Sequence, residues 1–277
     1  MEDKPRPIIY KKDLKFSENI DVENSDFESD DIRNMYNDYS KRPKIELRIK
    51  ESEMENFEYL DLSELSLTDE LLDKLVDLKK IEKILKKIIF LDISNNLLKN
   101  FPERLLNKYK NIEILDISRN RINSEIENDN LIELKCEYNK IRSIKSCSIK
   151  RLSSNDNELE KIDIPSIEIL LINNNKLENI NSYNNLEYLE CINNKLKTIK
   201  NMYKLSELYI SNNYIEEIDN LENLKILNCV DNPIKKIKYF ENVITLVCST
   251  SMLSSKYKIK SLNKINNKYY FINIDKN

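Results

Sequence analysis

The residues with the greatest potential for chemistry in this sequence are five cysteines: Cys136, Cys147, Cys191, Cys229 and Cys248. Thiolates bind zinc and take part in redox reactions, yet the chain has no histidine to complete a mixed metal site or to activate a nucleophile. No two cysteines have the C-x-x-C spacing of zinc and redox motifs, and their odd number favours a reducing compartment over a disulfide framework. Glycine is also absent, which excludes the loops that hold nucleotide phosphates.

The elements that position these side chains follow from a tandem repeat between Phe57 and Leu253. Each unit has the pattern L-x-x-L-x-L-x-x-N-x-L, which is clearest from Leu186 to Leu196. Consecutive units begin 31 and 24 residues apart at first and 18 or 19 residues apart afterwards, a regularity that indicates a solenoid. The units begin at Phe57, Ile88, Ile112, Leu131, Ile149, Ile167, Leu186, Leu205, Leu224 and Val243.

Positions four and six of each unit alternate with polar residues, which predicts a short strand with one buried side. Four of the cysteines stand at position six, so packing in the core is favoured over metal or redox chemistry, which stays the alternative. Position nine is asparagine in every unit except the first and the last, which have Leu65 and Ser251. We expect this buried asparagine to bond backbone groups of its own coil and the next one, with the two atypical units capping the stack.

These positions closely resemble the leucine-rich repeat family over roughly residues 57–253. The resemblance implies a right-handed solenoid with a parallel sheet on its concave face, and about ten coils are expected. The chain has no alanine or glutamine and is rich in lysine, asparagine and isoleucine, as AT-rich codons would produce. This composition resembles that of the leucine-rich repeat proteins of giant amoeba viruses (mimivirus-like), although an AT-rich protist is an equally physical source.

The unit spacing predicts an α/β solenoid whose two parts differ in their return segments. The long first unit has room for a capped amphipathic helix from Thr68 to Ile84, and the second has room for a helix after Pro102. The shorter units leave about eight residues for the return, which predicts thin extended or 3₁₀ segments. A helical convex side is therefore expected only in the N-terminal coils.

The flanks of the array carry opposite charges. Residues 1–42 are predicted to be an acidic, largely disordered leader, with no basic residue between Ser17 and Asp31. Residues 43–56 are predicted to be an N-terminal cap that begins with a strand at Ile45–Ile49. Residues 254–277 are lysine-rich and interleaved with tyrosine, which favours a C-terminal cap with nucleic-acid binding as the alternative.

The outward positions of the concave face are where function is expected. Asp61, Asp92 and Asp116 stand at position five of the first three units and predict an acidic column, either for a basic ligand or as a family habit. Further along, the face becomes apolar and aromatic, which is typical of a partner site. The predicted residues there are Ile169, Leu171, Tyr188, Glu190, Tyr209, Ile226 and Val230.

The sequence therefore predicts a non-catalytic scaffold that binds a protein partner on its concave face. One version of this prediction is a viral protein that acts on host factors. An adaptor that recruits a host ubiquitin ligase through residues 1–42 is the alternative, and nucleic-acid binding is the weaker one. No cofactor, metal or small-molecule substrate is expected. The start of the chain has no apolar signal region and no stretch is long and apolar enough to span a membrane, which predicts a cytoplasmic protein or, if viral, one in the host cytoplasm or virion.

Overall fold

A computed structural model describes residues 42–54, 58–237, 242–249, 261–265 and 269–273. A parallel sheet runs through the molecule, with one strand from each repeat unit, and confirms the predicted parallel-strand solenoid. We call the outward side of this sheet, formed by repeat positions three, five and seven, the concave face. Its parallel strands are β1 (Tyr59–Asp61), β2 (Phe90–Asp92), β3 (Ile114–Asp116), β5 (Glu133–Lys135), β7 (Arg151–Ser153), β9 (Ile169–Leu171), β10 (Tyr188–Glu190), β12 (Glu207–Tyr209), β14 (Ile226–Asn228) and β16 (Thr245–Ser249).

The leucines at position four hold the strands in register. Leu60 pairs with Leu91 and Leu91 with Leu115, and the same pairing continues along the sheet to Leu246. These leucines face the core and are at most 6% exposed. Since side chains alternate along a strand, this register also fixes positions three and five as the outward ones.

The asparagines at position nine form a buried spine that links each coil to the preceding one rather than to the next. In Asn213, Oδ1 accepts the N–H of Leu196 at 3.0 Å, while Nδ2 donates to the carbonyl oxygen of Cys191 at 2.8 Å. The same Nδ2 also donates to Ile210 and Ser211 in its own coil. One side chain therefore satisfies several backbone groups that water cannot reach.

The turn before each spine asparagine requires a left-handed residue. Position eight has φ between 52° and 61° in nine units. Glycine would adopt this conformation most easily, but this chain uses asparagine or aspartate at six of these positions, as expected from the short side chains that tolerate the left-handed region. The residues there are Glu64, Asn95, Arg119, Tyr138, Asp156, Asn174, Asn193, Asn212 and Asp231.

The N-terminal end is capped by helix α1 (Arg42–Met54), so the prediction of a strand at 45–49 was wrong. Ile45 and Ile49 are both fully buried. Their spacing of four residues places them on one side of a helix, and it is also compatible with the alternation that predicted a strand. With 13 residues, α1 is the longest described helix, and none of the described helices is long and apolar enough to cross a membrane.

Three further helices follow β1 and β2. Helix α2 (Asp69–Val76) begins after Thr68, whose side chain accepts the N–H of Leu71 at 3.3 Å. Helix α3 (Lys79–Leu85) is a separate element because the backbone is extended at Leu78, whereas the sequence predicted one helix through this segment. Helix α4 (Glu103–Lys108) begins after Pro102.

Most of the later return segments are extended. They form two small parallel sheets, the first with β4 (Ile126–Glu127), β6 (Ser143–Lys145) and β8 (Lys161–Asp163), and the second with β11 (Thr198–Lys200), β13 (Glu217–Asp219) and β15 (Lys236–Ile237). At the other end of the large sheet, β18 (Tyr269–Asn273) pairs antiparallel with β16 and β17 (Ser261–Ile265) pairs with β18. An antiparallel hairpin thus continues the sheet beyond the last repeat strand.

Candidate protein-binding surface

The concave face differs in accessibility along its length. All three residues of β1 and of β2 are buried, whereas β3, β7, β9, β10, β12 and β14 bury only their central leucine. Their outward side chains are half-buried between neighbouring strands. A partner could therefore contact the face from β3 onward but not at β1 and β2.

The predicted acidic column exists, but the expectation that it faces solvent was wrong for its first two members. Asp61 pairs with Asp92 and Asp92 with Asp116 in register. Asp61 and Asp92 are only 3% and 4% exposed. Arg48 from α1 lies 2.7 Å from Asp61 Oδ2, so the cap supplies the cation that a ligand was expected to supply. The first two aspartates are therefore unavailable to a partner.

Each aspartate of the column also has a local structural role. One carboxylate oxygen accepts the N–H of the serine two residues later, at 2.8 Å for Asp61, 2.9 Å for Asp92 and 2.9 Å for Asp116. This bond fixes the chain as it leaves the strand. The structural alternative for these residues, a recurring habit of the repeat, thus has direct support from the hydrogen bonds.

Asp116 is the only member of the column that stays half-buried, and its electrostatics are unfavourable. Burial raises the pKa of Asp116 to about 6, and the neighbouring Asp92 charge adds to the effect. The N–H of Ser118 and the Lys135 ammonium act in the opposite direction but do not cancel it. At neutral pH the ionised Asp116 therefore destabilises the folded protein, because Arg48 of α1 pairs with Asp61 and not with Asp116.

The middle of the concave face is a shallow cleft of about 430 Å³ that is lined by both acidic and basic side chains. Arg151 Nε lies 2.7 Å from a Glu133 oxygen, and Lys135 lies 3.6 Å from the other oxygen of the same carboxylate. Glu137 instead accepts bonds from Ser153 and Asn155. Ile169 and Leu171, two of the predicted site residues, form the far wall of this cleft.

Tyr188, Glu190, Glu207 and Tyr209 form a compact group on β10 and β12, which we call the Tyr–Glu quartet. In register, Tyr188 lies beside Glu207 and Glu190 beside Tyr209. Each tyrosine hydroxyl donates to the glutamate on its own strand, Tyr188 to Glu190 and Tyr209 to Glu207, the latter at 3.1 Å. The two rings are 5.6 Å apart with planes tilted by 37°. The structure thus brings the predicted Tyr188, Glu190 and Tyr209 together.

Burial and the neighbouring glutamates raise the pKa of both the Tyr188 and the Tyr209 hydroxyl. Both hydroxyls therefore keep their protons at neutral pH and act as donors. They orient the two carboxylates without neutralising them. Glu207 was not among the predicted residues, since a single glutamate at position three carries no signal until the register places it beside Tyr188.

The other predicted residues flank the quartet. Ile169 pairs with Tyr188 and Leu171 with Glu190 on one side, and Ile226 pairs with Glu207 on the other. Val230 is at position seven of its unit, two residues after β14, and all four apolar side chains are half-buried. The surface is therefore mixed, with apolar residues around a polar centre, rather than the contiguous exposed apolar patch that the sequence predicted.

A row of exposed amides along the edge of the concave face was not predicted. Asn193 Nδ2 donates to Asn174 Oδ1 at 2.6 Å, and Asn174 Nδ2 donates to Asp156 Oδ1 at 2.9 Å. Asn212 continues the row by donating to Asn193. The sequence feature that could have predicted this row is asparagine at position eight. The left-handed turn there favours asparagine, and the repeat places these residues next to one another in successive coils.

The cysteines behave as the repeat predicted. Cys136, Cys191, Cys229 and Cys248 are buried, and burial raises the pKa of each thiol, to about 12 for Cys136 and about 11 for Cys248. Their thiolates are thus strongly disfavoured. Within the described part of the chain, no group of three or more cysteine, aspartate or glutamate side chains could hold a metal ion.

Two predicted features lie outside the described residues. These are the acidic leader, on which the ligase-adaptor alternative depends, and most of the lysine-rich stretch after residue 253, on which the nucleic-acid alternative depends. Both alternatives stay predictions from the sequence.

Comparison with solved structures shows that the fold is that of leucine-rich repeat proteins. The LRIM1 leucine-rich repeat domain matches 65% of this chain and 63% of its own length with a TM-score of 0.55 and 18% identity. A leucine-rich repeat protein of Leptospira interrogans matches 67% of this chain and 58% of its own (TM-score 0.51, 19% identity). A chain of the Drosophila Toll–Spatzle complex matches 67% of this chain and 30% of its own (TM-score 0.52, 18% identity).

This chain therefore spans less than two thirds of the length of each of these three structures. At these identities the likeness concerns the fold alone. No family model and no curated protein sequence matches the chain.

Proposed function

We propose that this protein is a non-catalytic scaffold that binds a protein partner on the concave face between β9 and β14. The observation that carries the proposal is the Tyr–Glu quartet with its flanking apolar side chains, which are half-buried and uncovered by the rest of the described chain. Tyrosine is a favoured anchor at protein interfaces because its ring is large and rigid and its hydroxyl is polar. The proposed contact residues are Ile169, Leu171, Tyr188, Glu190, Tyr209, Ile226 and Val230.

The aspartate column contributes to this proposal only through Asp116. Asp61 and Asp92 are buried and bonded within the protein, so the basic part of a partner has no carboxylate to contact there. The contact surface thus begins after β2 and is centred on β10 and β12. A cytoplasmic location and a viral origin with host partners are further parts of the proposal, and they have the support of sequence and composition alone.

The structural neighbours agree with this kind of role. One of the matched structures is a complex, that of Toll with Spatzle, and another LRIM1 structure is a complex with APL1C. A solenoid offers a long surface whose outward residues vary without disturbing the core, which is why such a fold suits binding.

Affinity capture with paired tyrosine variants tests the proposal. The variant Y188A/Y209A should lose the partners captured by the wild-type protein and keep its circular dichroism spectrum. The control is Y203A/Y214A, which removes two tyrosines that are 45% and 59% exposed and lie outside the concave face. This control should capture the same partners as the wild type. Unchanged capture by Y188A/Y209A would falsify the placement of the site.

A further inference from the structure

The two glutamates of the Tyr–Glu quartet differ from Glu133, another glutamate of the concave face, in the charge of their partners. Glu133 has Arg151 at 2.7 Å and Lys135 at 3.6 Å. Glu190 and Glu207 make no ion pair with any side chain in the described ranges, and their bonds come from neutral donors. Glu190 accepts hydrogen bonds from Tyr188 Oη and Asn173 Nδ2, and Glu207 accepts one from Tyr209 Oη. The quartet thus holds two negative charges that the described side chains of the neighbouring coils leave uncompensated.

These charges are unfavourable where they lie. The two glutamates are diagonal neighbours on adjacent strands, since Glu190 lies beside Tyr209 and Glu207 beside Tyr188. They are therefore about 7–8 Å apart, and both are half-buried. Like charges at this separation repel, and partial burial weakens the screening by water. The neutral donors fix the positions of the carboxylates but do not remove the repulsion. A cation between the strands would remove it.

The tyrosine rings determine which cation fits best. They lie 5.6 Å apart with planes tilted by 37°, and each hydroxyl donates to one of the two carboxylates. A guanidinium is planar, stacks on aromatic rings and donates to two carboxylates at once, whereas an ammonium is a compact, strongly hydrated charge. Ile169, Leu171 and Ile226 surround this centre, so the residues on either side of the cation should be apolar.

We propose that the Tyr–Glu quartet binds an arginine side chain of an extended protein segment, with apolar residues of that segment on the flanking isoleucines and leucine. This inference rests on the proposed function and adds the chemistry of the partner. It also moves the basic part of the partner away from Asp61 and Asp92, where Arg48 of the protein already occupies the equivalent place.

Four labelled peptides test the inference on the full chain. They share one short sequence of alternating isoleucine and serine and differ only at the centre, which is arginine, lysine, norleucine or glutamate. The wild-type protein should bind the arginine peptide about tenfold more tightly than the norleucine peptide, with lysine between them and glutamate weakest. Fluorescence anisotropy at low and high salt measures the affinities, and the preference for arginine should shrink as salt rises.

Charge variants locate the preference. In E190Q/E207Q the arginine peptide should lose about tenfold in affinity while the norleucine peptide changes little. The matched control is E125Q/E222Q, which removes two exposed glutamates elsewhere and gives the same change in net charge. It should retain the preference for arginine. Thermal unfolding of each variant checks that the fold is intact.

The outcomes separate this inference from the proposed function. If the wild-type protein binds the arginine and norleucine peptides equally, or binds none of the four, the arginine inference is overturned. Neither result needs a variant that could fail to fold. The proposed function is instead overturned by undiminished partner capture in Y188A/Y209A, so either idea can fail while the other stands.

Discussion

Two regions of the concave face, β1–β2 at its N-terminal end and β10–β12 further along, contain the same kinds of side chains in different settings. Tyr59 and Phe90 form an aromatic pair at position three, with ring centroids 4.8 Å apart, and lie beside Asp61 and Asp92. Tyr188 and Tyr209 form a similar pair beside Glu190 and Glu207. The first pair is buried and Asp61 has Arg48 as its cation. The second is half-buried, and no cation among the described side chains pairs with its carboxylates.

This difference shows how the same repeat pattern can form a covered end and an open surface in one molecule. At the N-terminal end, α1 lies against β1 and supplies Arg48, and the carboxylates and rings at the outward positions of β1 and β2 are buried. Between β9 and β14 the backbone is the same but no described element covers the face, so the same chemistry is available to another molecule. Function in this fold thus depends on which outward residues the rest of the chain leaves uncovered.

The asparagine spine should be equally important in both regions, and its loss should have the largest effect. N96A and N213A each remove an acceptor and a donor that serve buried backbone groups in two coils. We expect each substitution to lower the free energy of unfolding by about 3 kcal/mol. Denaturant unfolding measures this, with N185A, an exposed asparagine, as a control that should change stability by less than about 0.5 kcal/mol. A much smaller loss in N96A would show that the capped end compensates for the spine.

The cap cation should matter at one end only. R48M removes the ion pair between Arg48 and the nearly buried Asp61 and should cost roughly 2 kcal/mol, less than for a fully buried pair because Arg48 is 25% exposed. R48M/D61N should recover much of this loss. In the Tyr–Glu quartet, E190Q/E207Q should instead raise stability by at most about 0.5 kcal/mol, because it removes the repulsion between the two carboxylates. Equal losses in the two regions would remove the distinction between covered and open carboxylates.

Asp116 lies between the two regions and should make stability depend on pH. Its folded pKa of about 6 is above the ordinary value of 3.8, so its ionised form is disfavoured in the folded state. This penalty is fully present above pH 6 and is relieved as the pH falls from about 6 towards 3.8. D116N should therefore be more stable than the wild type at pH 8 by roughly 1 to 2 kcal/mol, with the difference shrinking over that range.

Unfolding midpoints measured between about pH 4 and pH 8, a span set by the two pKa values, test this prediction. The carboxamide that D116N introduces keeps an oxygen that can accept the Ser118 N–H, so the local turn should persist. D92N should shift the inflection of the wild-type profile to lower pH, because the Asp92 charge contributes to the raised pKa of Asp116. A parallel pH profile for D116N and the wild type would contradict the assignment.

Repeat spacing predicted the parts of this molecule that depend on backbone periodicity. Leu189, Cys191 and Asn194 are buried, as their repeat positions required. Asp61 and Asp92 could not be placed in the same way, because Asp61 pairs with Arg48 of α1, which lies outside the repeat, and Asp92 accepts a bond from the buried Tyr59. The helix at Ile45–Ile49 could not be predicted from the sequence either, since five residues that alternate in polarity fit both a strand and a helix with an i, i+4 contact.

The pairing of Glu207 with Tyr188 could not be predicted from the sequence for a different reason. It depends on register between β10 and β12, and position three is outward and tolerant of any residue. A column of identical residues, such as the aspartates, is visible in the sequence, whereas a quartet of two residue types on two strands is not. Local pattern therefore predicted the buried side of the sheet better than the exposed one.

The left-handed turn at position eight provides the smallest and most local contrast between the two regions. Glu64 has φ 61° and Asn193 has φ 55°, so the same backbone conformation is adopted by a residue that resists it and by one that tolerates it. E64N should raise the free energy of unfolding by about 0.5 kcal/mol. N193E should lower it by about 1 kcal/mol, because it also removes the amide bonds of Asn193 to Asn174 and Asn212.

Both substitutions are at exposed positions, so a change in side-chain burial should not contribute to the difference in unfolding free energy. Denaturant unfolding of the two single variants and the double variant measures whether the effects add, as expected for sites many coils apart. If E64N is neutral, the N-terminal turn is held by its surroundings, in agreement with a cap that determines local structure. If it stabilises, the asparagine preference at position eight comes from the turn itself and applies equally to the covered and open coils.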